Sequence, residues 1–187
     1  RARAWSVNAQ GTRNVAAATN AIDAHYIYIS TDYVFAGDSE YAPYTEEKEV
    51  NPVNYYAQTK YAGEVAARLA STWTVLRTSV VYGLAKPNFI TWVVQQLRES
   101  KPVSIVNDQI STPTYAPDLA EACVKIVESA TAGIYHAAGP ESLSRYEFTL
   151  RLANVCGFDV TLIDPISTKE LGQYALRPSD GSLDSSR

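Results

Sequence analysis

Hydrophobic and polar positions recur with two different periods along the chain, and the two periods alternate. Apolar residues at helical spacing predict helices at about residues 3–23, 54–70, 88–100, 116–130 and 143–157. Shorter apolar runs between them predict strands at about 26–30, 72–83, 102–107, 133–139 and 159–166. Because strands that alternate with helices form βαβ units, the pattern predicts an α/β fold with a mostly parallel sheet and helices on both faces.

The composition limits the classes of partner. The chain has 187 residues, of which 46% are hydrophobic, and its formal net charge is -4. Lys and Arg do not cluster, so we expect no nucleic-acid partner and no membrane partner, and no apolar run approaches the ~18 residues of a membrane span. The two cysteines, Cys123 and Cys156, lie in apolar helical patterns and are predicted to be buried thiols. Two isolated thiols favour a reducing compartment, which indicates the cytoplasm.

Small polar residues follow two of the predicted strands. The run "YIYI" ends in Ser30, Thr31 and Asp32, and "TVLR" is followed by Thr78 and Ser79. Ligands of open parallel sheets lie beyond the carboxyl ends of the strands. The sequence therefore predicts a binding site at this edge, with an ordinary turn as the alternative for Thr31 and Asp32 and a backbone-satisfying role favoured for Ser30.

The stretch "NYYAQTKYAGE", residues 54–64, carries a candidate acid–base pair. Tyr56 and Lys60 are four residues apart, so on a helix they share a face at roughly 6 Å, whereas Tyr55 points elsewhere. A nearby ammonium favours the phenolate and lowers the pKa of a tyrosine from its usual ~10. Such a tyrosine can transfer a proton in catalysis. With 13 Tyr in the chain, this spacing also arises by chance and does not by itself establish a catalytic site.

In combination, these stretches resemble the extended short-chain dehydrogenases/reductases, and more narrowly the dTDP-4-dehydrorhamnose reductase family. The resemblance covers essentially the whole chain. It rests on "VNAQGTRNVA", "YISTDYVFAG", "YYAQTKYAGE", "VLRTSVVYG", "NDQISTPTYAPDLA", "GIYHAAG" and "ALRPSDGSLDSSR", which follow the family's order. It implies a Rossmann-like fold with a small C-terminal substrate-binding subdomain. It also implies NADPH-dependent reduction of the 4-keto group of a nucleotide-linked deoxysugar, with NADH left open as the cofactor.

The resemblance implies a role for each matching residue. Tyr56 would be the proton donor, Lys60 its activator and a ligand of the cofactor ribose, and Thr31 the hydrogen-bond donor to the carbonyl. Asp32 would contact the sugar.

Three further residues would lie near the nicotinamide half of the cofactor. These are Asn8, Thr78 and Ser79. For Asn8, a hydrogen bond within its helix is the alternative.

Two positions bear on the choice of reaction and substrate. Family dehydratases carry a carboxylate directly after the Thr-Asp pair, where this chain has Tyr33, so dehydration is disfavoured. At the substrate-contacting position after "VLRTS", the bacterial rhamnose-pathway enzymes typically carry a Trp, whereas this chain has Val80. A valine offers far less contact area than an aromatic ring, so the identity of the sugar stays open.

The glycine-rich turn that takes the pyrophosphate in dinucleotide-binding folds is not among residues 1–187. We therefore expect the sequence to be a partial record of a longer protein. Residues 1–83 and 112–139 are predicted to be part of the NAD(P)-binding domain. Residues 84–111 and 140–187 are predicted to form the substrate-binding subdomain.

The sequence leaves other functions open. One is a non-catalytic subunit resembling the regulatory β subunit of methionine adenosyltransferase, and another is a nucleotide-sugar epimerase or dehydratase. A homodimer is also open. His25 and His136 lack ligands at metal spacing and are predicted to be structural, with no metal site.

Overall fold

The computed structural model describes residues 1–187. The α-helices are α1 (Ala2–Trp5), α2 (Thr12–Ala21), α3 (Tyr55–Ala67), α4 (Phe89–Arg98), α5 (Ala116–Glu128), α6 (Arg145–Cys156) and α7 (Thr168–Leu171). The strands are β1 (Tyr26–Ile29), β2 (Trp73–Arg77), β3 (Val81–Tyr82), β4 (Val103–Val106), β5 (Ile110–Ser111), β6 (Thr114–Tyr115), β7 (Gly133–His136), β8 (Leu143–Ser144) and β9 (Ile163–Ile166).

The strands form four small sheets. The largest has three parallel strands in the order β1–β2–β7, and its first register pair is Tyr26 with Trp73. Strand β3 pairs with β6, and β4 pairs with β9, both in parallel, whereas β5 and β8 are antiparallel. The predicted α/β fold with a mostly parallel arrangement is therefore confirmed.

Three of the predicted elements are interrupted. The first helix contains a π-helical segment, Ser6–Gly11, between α1 and α2. The strand predicted at 72–83 is two strands, since Val80 adopts a φ of 39° that no strand accommodates. The last strand is preceded by a 3-10 turn, Val160–Leu162.

Three clusters of buried apolar residues are present: one of Val34, Phe35, Tyr44 and Leu183, and two that pack helices on strands. Of these two, one joins α4, α6, β4 and β9 and consists of six buried residues: Val93, Leu97, Val103, Ile105, Ala153 and Ile163. The other packs α3 on the three-stranded sheet through Tyr28, Ala67 and Val75. Each sheet lies within one of the two predicted parts, but the division into domains itself stays a prediction.

The C-terminal segment 179–184 contacts both parts of the chain. Asp180 bridges to Ile110, and Leu183 bridges to Tyr44 and is buried. This segment therefore closes the edge of the molecule at which β1 ends.

The prediction of two buried thiols is wrong for Cys156, which is exposed, while Cys123 is partly buried and both are unpaired. Cys156 is the last residue of α6, just before Gly157 in the left-handed conformation, and the helix end leaves it in solvent. No helix is both long and apolar enough to cross a bilayer. No cluster of His, Cys, Asp and Glu side chains is arranged to hold a metal ion.

Candidate functional site

The polar residues after β1 are held against the end of β2. The backbone N–H of Ser30 donates to the Leu76 carbonyl at 2.7 Å, and that of Asp32 donates to the Thr78 carbonyl at 3.0 Å. Thr31 caps a 3-10 turn, Asp32–Val34, because its hydroxyl accepts the N–H of Tyr33 at 3.3 Å. The turn is therefore real, and it also fixes the Thr31 side chain at the carboxyl edge of the sheet.

Helix α3 presents Tyr56 and Lys60 to this edge. The helix starts after Asn54, whose side chain accepts the N–H of Ala57 at 2.8 Å. The Tyr56 ring is 48% exposed and lies edge-on to the Tyr33 ring, with centroids 6.1 Å apart. The Lys60 ammonium donates to the Ile29 carbonyl at 2.7 Å. The structure thus brings Thr31, Tyr56 and Lys60 together at the end of β1.

The charge states of this group follow from burial. Burial raises the pKa of Tyr56, and hydrogen bonding with the Thr31 hydroxyl opposes that rise. Burial also lowers the pKa of Lys60 to about 8, and the Glu64 carboxylate opposes this change. The expected lowering of the Tyr56 pKa by Lys60 is absent, because the ammonium points to the Ile29 carbonyl and sits 4.2 Å from the centre of the Tyr28 ring.

Asp32 is buried, and both of its carboxylate oxygens accept hydrogen bonds. Its carboxylate accepts the Thr31 hydroxyl at 2.9 Å and the Ser79 hydroxyl at 2.6 Å. Burial raises its pKa to about 6, while these hydrogen bonds and the charge of Arg145 lower it. The Ser79 hydroxyl is therefore committed to Asp32, whereas the buried Thr78 hydroxyl has no hydrogen-bond partner.

Val80 lies at a cleft between the two parts of the chain. Asp32, Gln109 and Arg145 also line this cleft, which holds only about 10 Å³. That volume suits about one water molecule, so a sugar needs the cleft to open. A larger cavity, of about 520 Å³, lies beside the loop at 36–51 and includes none of the predicted site residues.

Asn8 is held on α3 by the π-helical segment. Its side-chain amide donates to the Thr59 hydroxyl at 3.0 Å, one residue before Lys60. The segment approaches α3 so closely at Gly63 that a Cβ there would clash with the Asn8 carbonyl and the Tyr28 hydroxyl. A π-turn frequently marks a functional position in a helix, and here it brings Asn8 toward the Lys60 side of the site.

Three other polar residues had predicted structural roles: His25, His136 and Ser30. His25 contacts the Thr74 hydroxyl at 2.8 Å, and His136 Nδ1 contacts the Asp184 carbonyl at 3.0 Å, as expected of structural histidines. Ser30 does more than satisfy the backbone, since its hydroxyl donates to the Glu64 carboxylate at 2.6 Å.

Sequence reasoning missed three charged residues beside the site: Glu64, Arg77 and Arg145. Glu64 follows Lys60 by four residues, so helical spacing alone could have placed it on the same face of α3 as Tyr56 and Lys60. Arg77 ends an apolar strand, where a buried charge requires a partner. No signal in the sequence pointed to Arg145.

Comparison with known proteins gives a consistent result. The family model described as "RmlD substrate binding domain" matches residues 1–187. The chain is 37% identical over 188 residues to the dTDP-4-dehydrorhamnose reductase of Mycolicibacterium smegmatis. This alignment covers 99% of this chain and 58% of that protein. It is 35% identical over 178 residues to the spore coat polysaccharide biosynthesis protein SpsK of Bacillus subtilis, covering 95% of this chain and 62% of that protein.

Solved structures agree with the sequence matches. The dTDP-4-dehydrorhamnose reductase of Bacillus anthracis, in complex with NADP, superimposes with a TM-score of 0.91 at 36% identity, over 95% of this chain and 63% of that one. The orthologue from Clostridium acetobutylicum gives a TM-score of 0.92 at 33% identity, over 97% and 64%. The chain spans less than two thirds of the length of these relatives.

Proposed function

The chain belongs to the RmlD substrate binding domain family, and on that basis we propose that the protein reduces the 4-keto group of a nucleotide-linked deoxysugar with NADPH. The product would be a sugar of the dTDP-rhamnose type. The reductase names of its relatives support this proposal. We place the protein in the cytoplasm, in keeping with its two unpaired cysteines.

The observation that carries the proposal is the convergence of Thr31, Tyr56 and Lys60 at the end of β1. A ketone reductase needs a hydrogen-bond donor and a proton donor at the carbonyl oxygen. The Thr31 hydroxyl, which donates to Asp32 in this structure, would turn to the substrate and polarise the carbonyl, and the Tyr56 hydroxyl would deliver the proton to the oxygen. Lys60 would stabilise the resulting phenolate once its ammonium turns from the Ile29 carbonyl toward Tyr56, since a cation favours the charged form of a phenol.

Residues available for the cofactor lie beside this group. The Lys60 ammonium donates one N–H group to the Ile29 carbonyl and has further N–H groups to donate. The Thr78 hydroxyl is buried without a hydrogen-bond partner. Both fit a ligand with hydroxyl and amide groups. NADPH would supply the hydride. Lys60 would hold a ribose hydroxyl, Asn8 and Thr78 would face the nicotinamide half, and Ser79 would act through Asp32.

The substrate would enter at the cleft of Asp32 and Val80. An opening of this cleft would let the Asp32 carboxylate exchange an internal hydrogen bond for a sugar hydroxyl. Tyr33, at the position that needs a second acid or base in dehydration, packs on Tyr56 instead. This contact favours reduction over dehydration.

The test is Tyr56→Phe in the protein made from its complete coding sequence. Loss of the proposed phenolic proton donor is expected to lower kcat by about 10²–10⁴-fold, with NADPH affinity largely retained. Tyr55→Phe, its neighbour on the helix, is the matched control and keeps full activity. NADPH oxidation with a dTDP-linked 4-keto sugar is followed by absorbance, and the product is identified by mass spectrometry.

Three results would count against the proposal. Wild-type turnover by Tyr56→Phe would remove the proposed proton donor. An isomerised or dehydrated product would favour an epimerase or dehydratase. No turnover together with a co-purifying second polypeptide would favour a regulatory subunit.

A further inference from the structure

A bidentate ion pair is buried directly beneath the candidate site. Arg77 Nε and Nη2 donate to the two carboxylate oxygens of Glu64 at 3.0 and 2.8 Å. The side chains are 2% and 0% exposed, respectively. Arg77 also lies 5.1 Å from the centre of the Phe35 ring. Glu64 belongs to α3, and Arg77 is the last residue of β2, so the pair joins the helix to the sheet.

The Glu64 carboxylate makes one more contact, and this contact reaches the candidate site. It accepts the Ser30 hydroxyl at 2.6 Å, while Lys60, one turn earlier on α3, donates to the carbonyl of Ile29 at 2.7 Å. Helix α3 therefore forms hydrogen bonds with two successive residues, Ile29 and Ser30, and the next residue is Thr31. The spacing between the Tyr56–Lys60 face and Thr31 depends on both contacts.

We infer that Glu64 is a positioning residue, which is held by Arg77 and fixes the Ser30–Thr31 strand end against the Tyr56–Lys60 face of α3. This role rests on the proposed reductase function. Stability alone accounts poorly for the pair, because apolar replacement of a buried ion pair is often neutral or stabilising. Small errors in the placement of reacting groups are costly in rate.

Glu64 also acts on Lys60 through its charge. The titratable groups that face Lys60 are Tyr28 from β1 and Glu64 from α3. Arg77, from β2, balances the charge of Glu64. Burial lowers the pKa of Lys60 and Glu64 raises it. Neutralising Glu64 would leave the Arg77 charge unbalanced nearby, so the pKa of Lys60 should fall further.

The experiment compares Glu64→Gln with Glu141→Gln, which removes an exposed ion pair to Arg151 that includes no predicted site residue. The protein is made from its complete coding sequence. We expect Glu64→Gln to lower kcat by about 10–100-fold and to shift the basic limb of the pH–rate profile to lower pH. Competitive labelling of Lys60, quantified by mass spectrometry, should show the same fall in its pKa. Glu141→Gln should change none of these quantities.

A second variant covers the case in which Glu64→Gln fails to fold. Glu64→Leu combined with Arg77→Met replaces the pair by apolar groups of similar size, and we expect its melting temperature to match or exceed that of the wild type. Its kcat should still fall by about 10–100-fold. A folded double variant with wild-type kcat would overturn the inference and leave the pair a structural element.

The labelling result separates this inference from the proposed function. If the wild type reduces no keto sugar, the proposed function fails. The pKa of Lys60 in Glu64→Gln still shows whether Glu64 acts on Lys60. A lower pKa would support the coupling of Glu64 to Lys60, and an unchanged pKa would overturn it.

Discussion

Burial of Asp32 makes the stability of the protein depend on pH in a defined direction. Its carboxyl is enclosed, and its pKa rises from 3.8 to about 6, chiefly through desolvation. Between these values the folded protein retains a proton that the unfolded chain has lost, so stability falls as pH rises. A pKa difference of about 2, at about 1.4 kcal/mol for each unit, gives a loss of about 3 kcal/mol. The loss is complete somewhat above pH 6.

Asp32→Asn removes this titration and keeps the shape of the side chain. Urea unfolding of wild type and variant at a series of pH values from 3.5 to 7.5 gives the difference in free energy of unfolding. Relative to the wild type, the variant should gain about 3 kcal/mol between pH 3.5 and 7. Any constant effect of altered hydrogen bonds cancels, because only the change with pH is used.

Asp159→Asn is the matched control. The pKa of Asp159 is lowered by hydrogen bonds from Thr161 at an exposed turn, so its contribution is lost only as pH falls below about 4. Its difference from the wild type should therefore be flat from pH 5 to 7. A flat difference for Asp32→Asn over the whole range would refute the assignment of a raised pKa to Asp32.

Three further predictions concern packing, backbone strain and thiol chemistry. Gly63→Ala should destabilise the protein by about 3 kcal/mol, measured by urea unfolding, because the added methyl group overpacks the contact with Tyr28; an unchanged midpoint would contradict the close approach. Val80→Gly should be more stable than Val80→Ala by about 1 kcal/mol, since glycine tolerates the positive φ; the reverse order would exclude a left-handed residue there. Cys156 should react with iodoacetamide on the order of tenfold faster than Cys123, whose thiol is partly buried with a raised pKa; equal rates by peptide mass spectrometry would contradict the difference in exposure.

The fold could be predicted from the sequence where local pattern decides the structure. Helix α6 shows this well, since Ser144 and Glu147 form a capping box and Gly157 ends the helix. Periodicity failed where a single backbone conformation interrupts a run, as at Val80. It also failed at Ser6–Gly11, because a π-turn leaves helical residues in place and changes only their hydrogen bonding.

The candidate site was partly predictable for a similar reason. Tyr56 and Lys60 lie on one helix, where spacing determines which side chains are neighbours. Arg77 and Glu64 meet across a distance in sequence that no local period encodes. The pKa of Asp32 depends on its enclosure, and enclosure is a property of the folded chain.

The C-terminal segment 179–184 has a consequence for the order in which the molecule assembles. Gly181 lies over Asp32, such that a Cβ at Gly181 would stand 3.0 Å from the carboxylate, and Leu183 pairs with Tyr44 from far earlier in the chain. Contacts of such long sequence separation close large loops and tend to form late. Asp32 is therefore expected to be among the last groups to lose its water. A nascent or nicked chain without the segment would keep a more solvated carboxyl beside Thr31, so the docking of this segment also sets the electrostatics of the candidate site.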